Sequence, residues 1–160
     1  MDGWQTQVLT ASAADVASTC RLTVLLPTYN EELAIEPVLD EIVAALSGQS
    51  IRYEILVVDD ASTDATAELA ERYAADCWQC RIRVIRCPEN RGAGAARKVG
   101  IRAAQGELVV MLDADGTYPA ECIPELLKHF PAYDQVNGAR TSEQGTLPWL
   151  RVPAKWFIRK

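Results

Sequence analysis

The sequence predicts an α/β protein, a mostly parallel sheet with helices on both faces. Four nearly continuous aliphatic runs, Leu22–Leu26, Ile55–Val58, Ile82–Ile85 and Leu108–Leu112, have the pattern of strands covered on both sides. Stretches with helical spacing of apolar residues separate them, and this alternation implies parallel pairing through crossover helices. Every run ends in a turn-rich segment, and three of the four ends are acidic. Sheets of this class bind ligands at the carboxyl ends of their strands, near the switch in strand order.

The elements follow in order. Residues 1–20, rich in Ser, Thr, Ala and Asp, read as a loose leader. After the first run, Val38, Leu39, Ile42, Val43 and Leu46 recur at i, i+3/i+4 spacing. Pro37 fits the first turn of that helix and Gly48 ends it. After the second run, Asp64 caps a helix over Ala65–Ala74, with Glu68 and Glu71 near its start or on its wet face. A third helix runs from Gly94 to Ala104, with Gly106 as its stop. A fourth covers Ile123–Phe130, with Pro124 near its start, and a short strand over Gln135–Gly138 follows. No internal repeat or low-complexity tract breaks the series.

Composition bounds the function. A chain of 160 residues, 49% hydrophobic and 24% charged, is one soluble globular domain with a sizeable core. A net charge of −6 argues against a general nucleic-acid binder. No apolar run reaches the roughly 18 residues that span a bilayer, and residues 1–20 lack the basic start and apolar block of a secretory signal. Five cysteines, an odd number, then imply reduced thiols and a cytoplasmic location. Cys77-Trp78-Gln79-Cys80 has redox spacing but follows a helix and precedes a strand, so it reads as a pair of incidental surface cysteines. His129, the single histidine, reads as a surface residue of the fourth helix.

The strand ends carry the chemistry. Asp113 and Asp115 stand at i and i+2, where side chains of an extended chain point the same way, and Gly116 lets the chain turn after them. Two carboxylates so close raise one pKa unless a cation joins them. Mg²⁺ or Mn²⁺ takes such oxygen ligands together with the phosphates of a substrate; the alternative is a solvated turn. Asp60 suits a ribose or base hydrogen bond, or else helix-start charge shared with Ser62, Thr63 and Asp64. Tyr29, in the rigid Pro27-Thr28-Tyr29-Asn30-Glu31 loop, suits packing on a base, or else a half-buried rim. Asn90-Arg91-Gly92-Ala93-Gly94 opens the third helix with small residues that leave Arg91 and backbone N–H groups free for phosphate, or else allow close helix packing. A dinucleotide fingerprint is disfavoured, because Arg97 stands at its third glycine and the turn follows the third run.

Together, "LLPTYNEE", "EILVVDDASTDAT", "NRGAGAARKVG", "GELVVMLDADGTYPAE" and "VNGAR", in this order from Leu22 to Arg140, resemble the family 2 glycosyltransferases of GT-A fold. Within that family they are most similar to the polyprenyl-phosphate sugar transferases, such as dolichyl-phosphate mannosyltransferase. The resemblance implies a Rossmann-like nucleotide-sugar-binding domain over 21–140 and the start of an acceptor-side segment over 141–160. It implies that Pro27, Tyr29 and Glu31 line the nucleotide pocket, that Val58 and Asp60 contact base and ribose, and that Asp113 and Asp115 form the DxD metal pair. It places the Ala114 backbone beside the nucleotide, Thr117 where relatives carry Gln or Ser near the metal, and Arg140 at the diphosphate or acceptor phosphate.

The implied reaction moves a sugar from a GDP- or UDP-linked donor to a polyprenyl phosphate, inverting the anomeric centre in one displacement. A cation stabilises the departing diphosphate, with Arg91 or Arg140 as helpers. A phosphate acceptor is already anionic, so no catalytic base is nominated. Relatives of this kind continue past Lys160, so the chain reads as the donor-binding half. The basic and aromatic residues of 147–160 suit contact with an anionic membrane surface, at the cytoplasmic face, or else a core helix cut short, a solvated charged face or a disordered end. Two other classes stay open: a nucleotidyltransferase that makes sugar nucleotides, disfavoured by Pro-Thr-Tyr-Asn-Glu where a Gly-rich basic loop is expected, and a non-catalytic nucleotide-binding module.

Overall fold

The structure, a computed structural model, describes residues 21–130 and 132–138. They fall into two compact units, divided between Lys128 and His129. The first unit holds strands β1 (Leu22–Thr28), β2 (Tyr53–Asp59), β3 (Arg81–Arg86) and β4 (Leu108–Met111). Its helices are α1 (Ile35–Leu46), α2 (Thr66–Asp76), α3 (Ala93–Ala103) and α4 (Ile123–Lys128), the last entered through a 3₁₀ turn, Ala120–Cys122. All strands pair in parallel in the order β3-β2-β1-β4. The chain thus steps outward from β1 to β3 and then crosses to the other side of β1. The switch point lies between β1 and β4.

Two apolar clusters hold the sheet. On one face Leu22, Val24 and Leu26 of β1 and Ile55 and Val57 of β2 pack with Val38, Leu39, Ile42 and Leu46 of α1. On the other, Leu25, Leu56, Val58 and Ile85 pack with Ala96 of α3. Covered on both faces, β1 and β2 have no polar alternation to show, which is why their runs read so clearly. β4 departs from this expectation: Val109 is 36% and Met111 50% exposed. The second cluster draws on α3, which lies over β1 and β2, and no described helix covers the flanking strand on that face.

Three other differences have local causes. α4 ends at Lys128 rather than Phe130, so His129 follows the helix; it is exposed, as expected, and its ring stands edge-on to Tyr133 at 6.3 Å. Gln135–Gly138, with Val136 as its single aliphatic residue, forms no strand. Gly106 is not a helix stop. An added Cβ there would lie 2.5 Å from the Thr23 backbone nitrogen, so the residue is needed for close approach to β1.

Candidate active site

Pro27, Thr28, Tyr29, Glu31, Asp60, Ala93, Ala96, Arg97, Asp113, Ala114 and Asp115 line one cleft of about 240 Å³ at the carboxyl ends of β1, β2 and β4. Its place is the switch point that the strand order creates. Asp113 and Asp115 share it, while the Ala114 side chain between them is buried in the first cluster. This is the i, i+2 alternation carried one step past the strand. Gly116, at φ 70°, then turns the chain away.

The first two strand-end loops are stitched together. Asn30 accepts from the Thr63 N–H (2.8 Å) and donates its own N–H to Ser62 Oγ (2.9 Å); the Glu31 N–H donates to Thr66 Oγ1 (2.7 Å). Asp64 accepts from the Thr66 N–H at 3.0 Å, which satisfies the start of α2 as expected. This clasp holds Ala61 at φ 60°, a region costly for a residue with a Cβ. Backbone strain at a strand end marks a place where position matters more than comfort.

Asp60 is buried and accepts from the backbone N–H groups of Arg91 and Gly92, the latter at 2.6 Å. It therefore ties the loop before α3 to the sheet as well as lining the cleft. These N–H groups are not free for phosphate, and the Arg91 side chain is turned onto Glu89 (Nε to Oε1, 2.7 Å). Arg91 is not among the described lining residues of the cleft. Val58 is also displaced: its side chain is fully buried beneath α3, away from the cleft. Thr117 donates its N–H and hydroxyl to Asp115 Oδ1, at 2.9 and 2.6 Å, so it orients that carboxylate. Arg140 and residues 147–160 lie outside the described residues.

Arg97 is the residue the sequence reading missed. It drew notice only as a misfit in a glycine pattern. In the structure its Nη2 donates to Asp113 Oδ1 at 2.7 Å, and among the described residues it is the one cation in the lining. Its position, five residues into α3 on the face that carries Ala93 and Ala96, was the available signal.

Among the described residues four carboxylates, those of Glu31, Asp60, Asp113 and Asp115, thus meet a single guanidinium. The Glu31 carboxyl is raised above its ordinary range, by burial first and then by the charges of Asp115 and Asp64. Asp59, next to the cleft, is raised by burial, against hydrogen bonds from Ser62, and its Oδ1 is buried without a partner. Among the described residues no group of three or more His, Cys, Asp or Glu side chains could hold a metal ion. Asp113 and Asp115 offer two hard oxygen ligands, a set that suits a divalent ion completed by water or phosphate.

A second cleft, of about 270 Å³, is lined by Glu36, Arg72, Tyr73, Asp76, Cys77, Trp78 and Gln79. Its Arg72 and Glu36 neutralise each other at 2.8 Å. Cys77 and Cys80 sit between α2 and β3 with their sulfurs 3.8 Å apart, half-buried rather than on the surface. Burial, with Cys77 beside it, pushes the Cys80 thiol up to about 12, which leaves it little thiolate. No described helix is long and apolar enough to cross a membrane.

Comparison with known proteins agrees with this geometry. The family model described as "Glycosyl transferase family 2" matches residues 23–157. The chain belongs to glycosyl transferase family 2. Among curated family members it is 36% identical over 147 residues to a dolichyl-phosphate beta-glucosyltransferase of Trichomonas vaginalis, covering 85% of this chain and 43% of that protein. It is 35% identical over 140 residues to an undecaprenyl-phosphate 4-deoxy-4-formamido-L-arabinose transferase of Aeromonas hydrophila, covering 87% and 42%. The family 2 chain therefore spans less than half the length of these relatives. Among solved structures, the mannosyltransferase PcManGT of Pyrobaculum calidifontis, in complex with GDP-Man and Mn²⁺, superposes with a TM-score of 0.56 at 34% identity, over 76% of this chain and 33% of that one. The described sheet is thus an α/β sheet of GT-A fold.

Proposed function

We propose that this chain is the donor-binding part of an inverting, metal-dependent glycosyltransferase that moves a sugar from a nucleoside-diphosphate sugar to a polyprenyl phosphate. The observation that carries this is the charge imbalance among the described residues of the switch-point cleft, where four carboxylates meet one guanidinium. A fold has no use for such an imbalance, since like charges in a shared site destabilise one another. A divalent cation with a diphosphate relieves it. The polyprenyl-phosphate relatives and the neighbour with GDP-Man and Mn²⁺ support the substrate classes and the metal.

Each described side chain then has a task. Tyr29, 45% exposed at the rim, packs on the base. Glu31 and Asp60 lie on the donor side, with Asp60 also fixing the loop before α3. Asp113 and Asp115 hold Mg²⁺ or Mn²⁺, and Thr117 keeps Asp115 turned toward it. The ion supplies Lewis-acid stabilisation of the departing diphosphate. Arg140 is assigned to the diphosphate or the acceptor phosphate. On this reading the protein works in the cytoplasm, at the membrane face that presents the lipid phosphate, with 147–160 as its surface contact.

Calorimetric titration of the chain with GDP and with UDP, each with and without Mn²⁺, tests the reading and identifies the base. Binding of one nucleotide that requires the metal is expected. Equal heats with and without metal, or no binding at millimolar nucleotide, overturn it.

A further inference from the structure

Arg97 and Asp113 form an ion pair that is unusual in its setting. Both side chains are near 40% exposed, so the pair is not sealed like a structural bridge. The acid is half of the proposed metal pair, and the base is the one cation among the described lining residues of the cleft. Asp113 Oδ1 takes a single donor, Nη2 at 2.7 Å. A guanidinium carries five N–H donors in a planar fork, and this bond uses one of them. It occupies one of the two oxygens of Asp113, and a divalent ion on the same carboxylate would be repelled by the guanidinium beside it.

We propose that Arg97 is the resident counter-ion of the DxD pair and couples metal to donor: it competes with the divalent ion for Asp113, and on displacement its fork engages the donor diphosphate. The proposal rests on the donor-binding reading above. It assigns Arg97 both a positioning role, on Asp113, and a diphosphate contact. It also explains why the cleft tolerates Asp113 beside Asp115 before any ligand arrives: one of the two charges is already neutralised. Coupling follows by linkage, since a metal that frees the guanidinium improves the site for diphosphate, and a bound diphosphate that holds the guanidinium removes the metal's competitor.

The test compares the parent chain with Arg97→Gln and Arg97→Lys. Free Mn²⁺ is followed by electron paramagnetic resonance, with no nucleotide present. The nucleotide that binds the parent is then titrated by calorimetry at saturating Mn²⁺. Arg97→Gln should bind Mn²⁺ alone about five- to tenfold more tightly, and the nucleotide about five- to tenfold more weakly. A coupling of that size is ordinary for linked sites. Arg97→Lys, which keeps the charge and loses the fork, should keep metal affinity near that of the parent while weakening the nucleotide. The two opposed shifts exclude a merely structural role, which would weaken both ligands together. If Arg97→Gln does not fold, the split in Arg97→Lys alone decides. Unchanged or weaker Mn²⁺ binding in Arg97→Gln, or unchanged nucleotide binding in either variant, overturns the coupling while leaving the donor site intact. A parent chain that binds neither Mn²⁺ nor nucleotide removes the donor-binding reading, and the coupling with it.

Discussion

Glu54 and Asp113 are both carboxylates that meet an arginine, at opposite ends of the same sheet, and they are treated in opposite ways. Glu54, near the amino end of β2, is fully buried and accepts four bonds. Arg83 gives two (2.9 and 3.0 Å), the Thr23 hydroxyl one (2.8 Å) and the Gln105 N–H one (2.9 Å). Arg83 then caps the Ala103 carbonyl at 2.6 Å, closing the end of α3. At the carboxyl end Asp113 has one bond to a half-exposed arginine, Glu31 is raised by burial and then by neighbouring acids, and Asp59 Oδ1 has no partner. Buried charge is tolerated only when paired and hydrogen-bonded. The amino end obeys this rule fully, so folding alone accounts for it. Among the described residues the carboxyl end leaves charge unbalanced, and on the proposed function a bound cation and diphosphate would supply what folding does not.

The sharpest way to break the contrast is to open the sealed end. Glu54→Ala strands a buried Arg83 charge and removes an acceptor from Thr23 and Gln105. Removing one partner of a buried pair costs about 3–5 kcal/mol. Urea denaturation should show a loss of that size, with Mn²⁺ affinity of the folded protein within twofold of the parent. A mild loss of stability, or a collapse of metal binding, would blur the division of labour between the two ends. Gly106→Ala strikes the same end by another route. The new Cβ meets backbone at 2.5 Å from Thr23 N and 2.6 Å from Leu22 C, atoms that cannot step aside. Overpacking of this kind costs about 1–3 kcal/mol, again read by denaturation, again with the cleft unaffected.

The converse experiment touches the open end. Asp115→Ala should weaken Mn²⁺-dependent nucleotide binding at least tenfold, a loss of about 1.4 kcal/mol. The melting temperature should hold or rise, because Asp115 is exposed, its hydrogen bonds reach only Thr117 two residues on, and its charge bears on Glu31. Calorimetry and a thermal melt on the same sample decide it. A variant that melts well below the parent would show that Asp115 is structural after all.

The two ends also differ in how far the sequence reveals them. The strands, the helices and their parallel order are legible because runs such as Ile55–Val58 are covered on both faces and state their burial directly. The Asp113–Asp115 pair is legible because i, i+2 spacing is a local rule that survives past the end of β4. Val58 and Arg91 go astray because which face a strand residue presents, and which acid an arginine meets, are decided by α3 and Glu89, not by the motif. Arg97 reaches Asp113 across 16 residues of chain, and the clasp joins loops more than 30 residues apart. Glu54 looks like a misplaced charge in an aliphatic run until Arg83 and the α3–β4 connection fold over it. Contacts of that range follow from the strand order, which must be known before they can be read.

Asp59 gives the finest test, because it lies at the open end without lining the cleft. Burial raises its carboxyl above the 3.8 of an ordinary aspartate. Between that value and the higher folded one, the native chain keeps a proton that the unfolded chain has released. Native stability therefore falls as pH rises through the window, and the penalty is complete above it. Asp59→Asn removes the titration and keeps the shape, and its Oδ1 can still accept the Ser62 N–H that Asp59 Oδ2 takes at 3.2 Å. The variant should melt at or slightly above the parent at neutral pH, by less than any effect described above, and the difference should shrink as pH falls toward 4. Other acids titrate in both proteins, so the difference between the two melting curves isolates this one group. A parent that outlasts Asp59→Asn at neutral pH would mean that the charge of Asp59 is useful to the fold. The unpartnered oxygen would then have a partner in solution, and the carboxyl end of the sheet would be less unlike the amino end than its geometry indicates.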